Sequence, residues 1–276
     1  MEITTKQYSD VGIDISKLDI KEFRNIRALS SYLLSVKDNE TYRTSSKDND
    51  YSFTGTNSFD EALDLIMYPN GEPPVEVNTR VESIENKIRN NLKKKGLLTS
   101  WIVEDYHYDV EGLELDIGKL IEGDPECYLQ ANKKYIDHYY ELNVNIAVSG
   151  SKSTDTIIDA FCKVIAVVIA LEKRGHKIKL IVSSISKNVS TDGRHSYLGT
   201  VVKGYDDYVN ISTIARVIYP SFLRRLMFKI DEVMYGDKLE SGYGQAVNTL
   251  KGVVTLDNSL EEEELLNSIV ARYIAA

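Results

Sequence analysis

The sequence predicts an α/β protein in which a mixed, mainly helical amino-terminal portion precedes a three-layered carboxyl-terminal portion. The first observation is an apolar strand that ends at Ser149, followed by a helix over residues 155–174 and an apolar strand over residues 176–186. A strand, a crossover helix and a strand in this order favour a right-handed parallel connection. The second observation is a series of capped, largely polar helices before residue 100. We therefore divide the chain into a mixed α+β region, residues 1–132, and an α/β domain, residues 133–276.

Helices dominate the predicted amino-terminal region. Apolar side chains spaced three and four apart predict the first of them, and Ser58 with Glu61 provides a capping box for the second. The predicted elements are, in order, a helix over residues 19–36, a surface loop over 42–52, a helix from Ser58 that ends before Pro69, a polar helix over 79–95 and two strands over 100–117 around a turn near Glu111 and Gly112.

Strands become more frequent in the predicted carboxyl-terminal domain. The Asp192-Gly193 pair favours the tip of a β-hairpin, because this dipeptide adopts positive backbone angles readily. Besides the crossover unit, the predicted elements are an interior strand within residues 133–149, a strand over 197–204, two helices separated at Pro220, a strand over 252–257 and a final helix over 259–276.

The composition excludes several classes of protein. The 276 residues include 33 basic and 42 acidic side chains, a formal charge of −9, which argues against general nucleic-acid binding because phosphate neutralisation requires clustered cations. Only two cysteines occur, Cys127 and Cys162, so we expect a reducing, cytoplasmic setting. The longest apolar run, residues 164–171, is far shorter than the roughly 18–20 residues that span a bilayer, and the amino terminus lacks a secretory signal pattern. We expect no membrane segment.

The turn between the interior strand and the long helix is the first candidate binding site. Its small residues expose backbone N–H groups at a helix amino terminus, where α/β sheets bind ligands. A phosphate loop requires two glycines separated by four residues, and this turn has one glycine. An ordinary capped helix start is therefore the alternative. The candidate binding residues are Ser149, Gly150, Ser151, Ser153 and Thr154.

The alternate serines of this turn also resemble the metal-binding turn of von Willebrand factor A-type domains. In that family an aspartate holds the first of the three positions, and a second aspartate follows a later strand. The resemblance implies a Rossmann-like, von Willebrand A-like carboxyl portion and a magnesium site of Ser149, Ser151, Ser153 and Asp192. Ser149 replaces the carboxylate that hard divalent cations favour. The alternative is therefore a domain of the same fold that binds no metal. We assign no cofactor.

A broader pattern resembles uncharacterised phage-encoded proteins with a von Willebrand-like carboxyl half. It comprises the strand NVNIAVS, the helix end ALEKRGHKIKLIV, the stretch YDDYVNISTIARVIYPSFLRRLMFKIDE and, earlier in the chain, SFTGTNSFDEALDLI. The resemblance covers about half of the chain and implies a viral origin. It implies no functional residue.

The Arg224-Arg225 pair, in an apolar helix after Pro220, is the second candidate binding site. A guanidinium pair can clamp a carboxylate or phosphate. The structural alternative is a salt bridge with Asp231 or Glu232, with the arginine stems covering apolar surface.

Tyrosines interleaved with acids, as in Tyr106, Tyr108, Tyr139 and Tyr140, provide amphipathic surface suited to protein contacts, although tyrosine also favours half-buried strand positions. The four histidines have no zinc-site spacing, and no nucleophile motif occurs, so we assign no catalytic residue.

These observations predict a non-enzymatic protein-binding module. If the viral resemblance holds, its partner is a host protein, such as a defence factor that it inhibits in the host cytoplasm. Two alternatives stay open: a magnesium-dependent ligand-binding protein or enzyme that uses the Ser149–Ser153 turn, and a self-assembling virion component that forms homo-oligomers.

Overall fold

A computed structural model of the protein describes residues 15–41, 44–48, 50–68, 75–94, 102–111, 114–135, 139–147, 153–173, 176–217, 219–241 and 253–255. The strands are β1 (Leu18–Phe23), β2 (Ile102–Asp109), β3 (Glu114–Leu115), β4 (Tyr128–Tyr135), β5 (Tyr139–Asn145), β6 (Lys177–Ser186), β7 (His195–Lys203) and β8 (Val253–Thr255). The α-helices are α1 (Ile26–Val36), α2 (Tyr51–Thr54), α3 (Phe59–Met67), α4 (Val75–Lys94), α5 (Ile117–Glu122), α6 (Thr154–Glu172), α7 (Ile211–Arg216) and α8 (Phe228–Tyr235). A 3₁₀ turn at Ser45–Lys47 precedes α2, and a π-helical segment at Phe222–Met227 leads into α8.

A mixed five-stranded sheet has the strand order β1-β7-β6-β5-β8. β5 runs parallel to both β6 and β8, and β1 runs parallel to β7. β6 and β7 are antiparallel, and the predicted hairpin tip lies between them, with Gly193 at a φ of 73°. The hairpin at Asp192-Gly193 is therefore confirmed.

The crossover unit β5-α6-β6 also forms as predicted. Its helix is apolar on nearly all sides, with Phe161, Cys162 and Ile165 completely buried in the core shared with Leu142 and Val144 of β5. Successive strand side chains point to opposite faces, so the residues between these apolar positions, such as Asn143, lie on a polar face of the sheet. An α/β fold follows, whereas a specific von Willebrand A-like arrangement stays a prediction.

The first predicted helix is only half correct. Residues 18–23 form β1, which pairs with β7 along its whole length, with Phe23 buried and Ile20 exposed. The helix begins only at Ile26, where the Asn25 side chain accepts a hydrogen bond from the Ala28 amide at 2.8 Å. The spacing of apolar residues in this stretch predicts a helix, and only the pairing with β7 makes it a strand.

The predicted surface loop over residues 42–52 is also wrong in part. Ser46 is completely buried, and so is Thr54 just beyond the loop, because buried charges of the π-helical segment and α8 bind this stretch. The predicted Ser58 cap is present and accepts a hydrogen bond from the Glu61 amide at 3.0 Å. The Glu61 carboxylate accepts from the Asn57 amide at 2.7 Å rather than from Ser58, so the capping box is shifted by one residue.

A small second sheet has the order β2-β4-β3. The two strands predicted between residues 100 and 117 are present as β2 and β3, but each pairs with β4 and they do not form a hairpin with one another. The late strand is present as β8, and the final predicted helix over 259–276 lies outside the described residues.

The central sheet combines strands from both sides of residue 132, since β1 pairs with β7. Leu29, Leu33 and Leu63 from the first part of the chain share one apolar core with α6 and with Leu226. The division at residue 132 stays a prediction. Within the described part of the chain, no helix has the length and apolar character needed to cross a membrane.

Candidate functional site

The predicted turn at residues 149–154 is described only at its end. Ser149, Gly150 and Ser151 lie outside the described residues. Ser153 is the N-cap of α6, and its hydroxyl accepts a hydrogen bond from the Thr156 amide at 3.3 Å, while Thr154 is the first residue of the helix. This is the ordinary cap that sequence reasoning held as the alternative.

Asp192, the fourth residue of the implied magnesium site, lies exposed at the tip of the β6-β7 hairpin. The Ser190 hydroxyl donates a short hydrogen bond to its carboxylate and lowers the pKa of Asp192. Among the described residues, no group of three or more histidine, cysteine, aspartate and glutamate side chains could hold a metal ion. The magnesium site stays a prediction.

Arg225, in the π-helical segment, is 1% exposed and binds groups of the protein itself. Its Nε donates to the Thr56 hydroxyl at 2.7 Å, and its Nη1 donates to the Ser46 carbonyl at 3.0 Å. Its Nη2 donates to the Thr54 hydroxyl at 2.9 Å and to the Thr56 carbonyl at 2.6 Å. The sequence favoured a salt bridge with Asp231 or Glu232, but Arg225 uses hydroxyl and carbonyl oxygens instead.

Arg224 is also buried and faces the same stretch of chain. Its Nη1 donates to the Phe53 carbonyl at 2.7 Å, and its guanidinium lies 4.4 Å from the centre of the Phe53 ring. Burial lowers the pKa of both arginines. Together, the two arginines attach residues 46–56 to the π-helical segment, and they do not form an exposed clamp.

Exposed apolar side chains are concentrated around α5 and the strands beside it. We call this set the α5 surface; it consists of Tyr108, Val110, Leu115, Ile117, Leu120 and Ile121. Ile121 is 81% exposed, Ile117 65% and Val110 62%. The α5 surface contributes six of the thirteen large apolar side chains that are exposed among the described residues. Exposed apolar patches are common at protein interaction sites, so the α5 surface is a candidate site.

Polar contacts connect α5 to β2 beneath the α5 surface. The Asp116 carboxylate caps α5 by accepting hydrogen bonds from the Gly118 amide at 2.9 Å and the Lys119 amide at 3.2 Å. The Tyr108 hydroxyl donates to the same carboxylate at 2.8 Å, and this bond lowers the pKa of Asp116. Lys119 lies 3.9 Å above the Tyr108 ring and pairs with Asp124 at 2.8 Å. The apolar side chains therefore project from a fixed support.

The α5 surface lies within a strongly acidic part of the chain. Residues 104–126 contain nine acidic side chains and one lysine. Sequence reasoning identified Tyr108 but missed the isoleucines and leucines of α5. Their spacing at 117, 120 and 121 matches one helical face, but six helical residues are too short a span for the period to stand out.

The polar face of the central sheet has a cavity of about 500 Å³. Asn143 donates to the Tyr197 hydroxyl at 3.0 Å and accepts from the Ser183 hydroxyl at 2.7 Å. Lys179 pairs with Glu141 at 2.9 Å across neighbouring strands. Glu22, Arg24 and Thr200 also line the cavity, and the buried Thr200 hydroxyl has no hydrogen-bond partner among the described residues.

The fold and these surfaces define a mixed α/β protein with a small accessory sheet that presents apolar side chains. The family model described as "Domain of unknown function (DUF7192)" matches residues 10–273, and the chain belongs to this family. No curated protein matches the chain. No solved structure matches it either.

Proposed function

We propose that the protein is a non-enzymatic binding protein that uses the α5 surface to hold a segment of another protein. The observation that carries this proposal is the concentration of exposed isoleucine, leucine and valine side chains within residues 108–121. Exposing these side chains to water is unfavourable, and a partner that covers them recovers that free energy. The ordered support under them reduces the entropy lost on binding.

The acidic surroundings indicate the chemistry of the partner. Nine acids occur within residues 104–126 of the sequence, and this charge favours a segment that carries leucine-like side chains flanked by lysine or arginine. A second copy of the chain is disfavoured as the occupant, because a two-fold interface would bring the same acidic surface against itself. The resemblance to phage-encoded proteins adds the finer proposal that the partner is a host protein, such as a defence factor.

A defined peptide pair tests this function. One peptide is an amphipathic helix of leucine and lysine, and the other has glutamate in place of lysine. We expect the lysine peptide to bind the protein and the glutamate peptide not to bind, as measured by fluorescence anisotropy. Because the attraction is partly electrostatic, the affinity for the lysine peptide should fall as sodium chloride is increased.

Two double variants locate the surface. Ile117→Ser/Ile121→Ser should weaken binding of the lysine peptide by about tenfold or more. Leu34→Ser/Tyr208→Ser removes exposed apolar side chains elsewhere and should leave binding unchanged. Equal affinity for both peptides, or equal affinity of both variants, would contradict the proposal. If the wild type is a dimer and only the Ile117→Ser/Ile121→Ser variant is a monomer, the occupant of the α5 surface is a second copy. That outcome would also contradict the proposal.

A further inference from the structure

A cavity of about 300 Å³ lies between the segment after α1, the start of α3 and the π-helical segment with α8. We call it the basic cavity. Four cationic side chains from separate elements line it, together with two acids and the polar start of α3. The lining residues are Lys37, Lys47, Arg225 and Lys229, then Asp38 and Asp60, then Asn57 and Ser58, with Phe59 completing the wall.

Two of the four cations are almost completely buried. Lys229 is 1% exposed, and its ammonium donates to the Asn39 carbonyl at 2.8 Å. Burial and the positive charge of Lys47 lower the pKa of Lys229, and the carboxylates of Glu232 and Asp38 oppose this shift. An arginine has five N–H donors, and Arg225 uses four in the bonds to Ser46, Thr54 and Thr56, so one N–H on Nη1 is left.

The other two cations lie at the rim of the cavity. Lys37 pairs with Asp60 at 3.4 Å. Lys47 is exposed and has no ion-pair partner within the part of the chain that the structure describes. The residues that line the cavity comprise four cations and two carboxylates, a positive lining in a chain whose formal charge is −9. Asp48 and Glu61 lie near Arg225, and Glu232 lies near Lys229, behind this lining.

We propose that the basic cavity binds the phosphoryl group of a small molecule, a function separate from the protein contact at the α5 surface. A cavity of about 300 Å³ is at the small end of the usual range for ligand sites, which fits a single phosphoryl group with a short substituent. A carboxylate prefers the two parallel N–H groups of an arginine, and Arg225 has only one N–H left. Lysines act as point charges that suit a tetrahedral dianion approached from several sides.

The amino terminus of α3 supports the same ligand. The helix has nine residues, and Asn57 and Ser58 at its amino terminus line the cavity. The Ser58 hydroxyl and the Glu61 carboxylate already accept two backbone N–H groups there, so the remaining N–H groups and the helix dipole are what an anion can use. A bound dianion would also relieve the repulsion between Lys47 and Lys229, because each would gain a negative neighbour. The helix terminus and the relief of this repulsion add to the attraction from the four cations, on which the proposal rests.

Calorimetric titration with inorganic phosphate, with glycerol phosphate and with succinate tests the proposal at constant ionic strength. We expect saturable binding of both phosphates and at least tenfold weaker binding of succinate. Binding of inorganic phosphate alone would mean a free-anion site with no room for a substituent, and it would overturn the assignment to a phosphorylated small molecule. No saturable phosphate binding, or equal binding of succinate, would overturn the phosphoryl assignment.

A pair of charge variants distinguishes the cavity from general attraction. Lys47→Glu removes the unpaired cation from the cavity, and Lys87→Glu changes the net charge equally on the exposed side of α4. We expect Lys47→Glu to weaken phosphate binding by roughly tenfold or more and Lys87→Glu to leave it unchanged. Equal affinities of the two variants would place the anion elsewhere and overturn the proposal. Both side chains are exposed, so both variants should fold. Phosphate binding is measured without the peptide, so a failure of the peptide experiment would leave this result unchanged.

Discussion

Ser46 lies between two buried side chains of opposite charge. Glu232 accepts hydrogen bonds from the Ser46 amide at 2.8 Å and from its hydroxyl at 2.5 Å, while Arg225 donates to its carbonyl at 3.0 Å. A buried charge without such bonds is strongly destabilising. Ser46 is therefore held in the interior by a carboxylate and a guanidinium, although the surrounding residues 44, 47 and 48 are exposed and the composition of this stretch is typical of a surface loop.

Asp231, the neighbour of Glu232, has no such support. It is completely buried, and neither carboxylate oxygen has a hydrogen-bond partner among the described residues. Burial raises the pKa of Asp231 to about 7, the nearby Ser196 lowers it to a smaller extent and the charge of Glu232 raises it. In the unfolded chain the same carboxyl ionises near 3.8. Between pH 3.8 and about pH 7, the Asp231 carboxyl is protonated in the native protein and ionised in the unfolded chain.

The stabilising contribution of this proton is complete below the unfolded pKa and is lost as the pH rises towards 7. Asp231→Asn removes the titration. Between about pH 5 and pH 8, the wild type should lose roughly 2–3 kcal/mol of its free energy of unfolding that the variant does not lose. Urea denaturation at the two pH values measures it. Asp237→Asn, at an exposed position, is the control, and the same difference at both pH values for Asp231→Asn would contradict the prediction.

Among the elements, the β6-β7 hairpin depends most clearly on one residue. Gly193 has a φ of 73°, in the region that favours glycine. Gly193→Ala should lower the free energy of unfolding by about 1–2 kcal/mol because a Cβ atom is strained there. Asn188, in the same connection, has a φ of 48°, so Asn188→Gly should leave stability unchanged or raise it slightly. Thermal denaturation compares the two, and a Gly193→Ala variant as stable as wild type would show that the turn relaxes.

Sequence reasoning predicts elements best where the local signal is unambiguous. The crossover unit, the Ser58 cap, α4 and the Asp192-Gly193 turn follow from periodicity and turn chemistry alone. β1 does not, because the spacing of Ile20 and Phe23 fits a helix face, whereas in β1 Ile20 is exposed and Phe23 is buried on the opposite face. Only the pairing with β7 makes this stretch a strand. The basic cavity could not be predicted either, because its lysines come from positions that are far apart in sequence. Arg225 was identified as a charge near the buried core, but its partners depend on tertiary packing.

At the scale of the whole molecule, one core connects the two predicted regions. Phe23, Leu29 and Ile66 pack in the same apolar cluster as Leu198 and Ile230. A fragment of residues 133–276 would lack β1, α1 and α3 and would leave their side of the core in water. We expect this fragment to unfold without the cooperative thermal transition of the full chain, as measured by circular dichroism. A cooperative transition of the fragment would contradict this expectation and support the division at residue 132.

The pairing of β1 with β7 has a consequence for synthesis of the chain. Asp19 and Arg194, which join these strands by a bidentate ion pair, are 175 positions apart. At roughly 5–20 residues per second, β1 leaves the ribosome about 9–35 seconds before its neighbour has been made. A nascent chain that ends between residues 186 and 195 has the parallel pair β5 and β6 but not β7, the strand to which β1 attaches. The first described strand to be made is therefore among the last to join the sheet, and residues 18–23 cannot pair with β7 until about residue 195 has been translated.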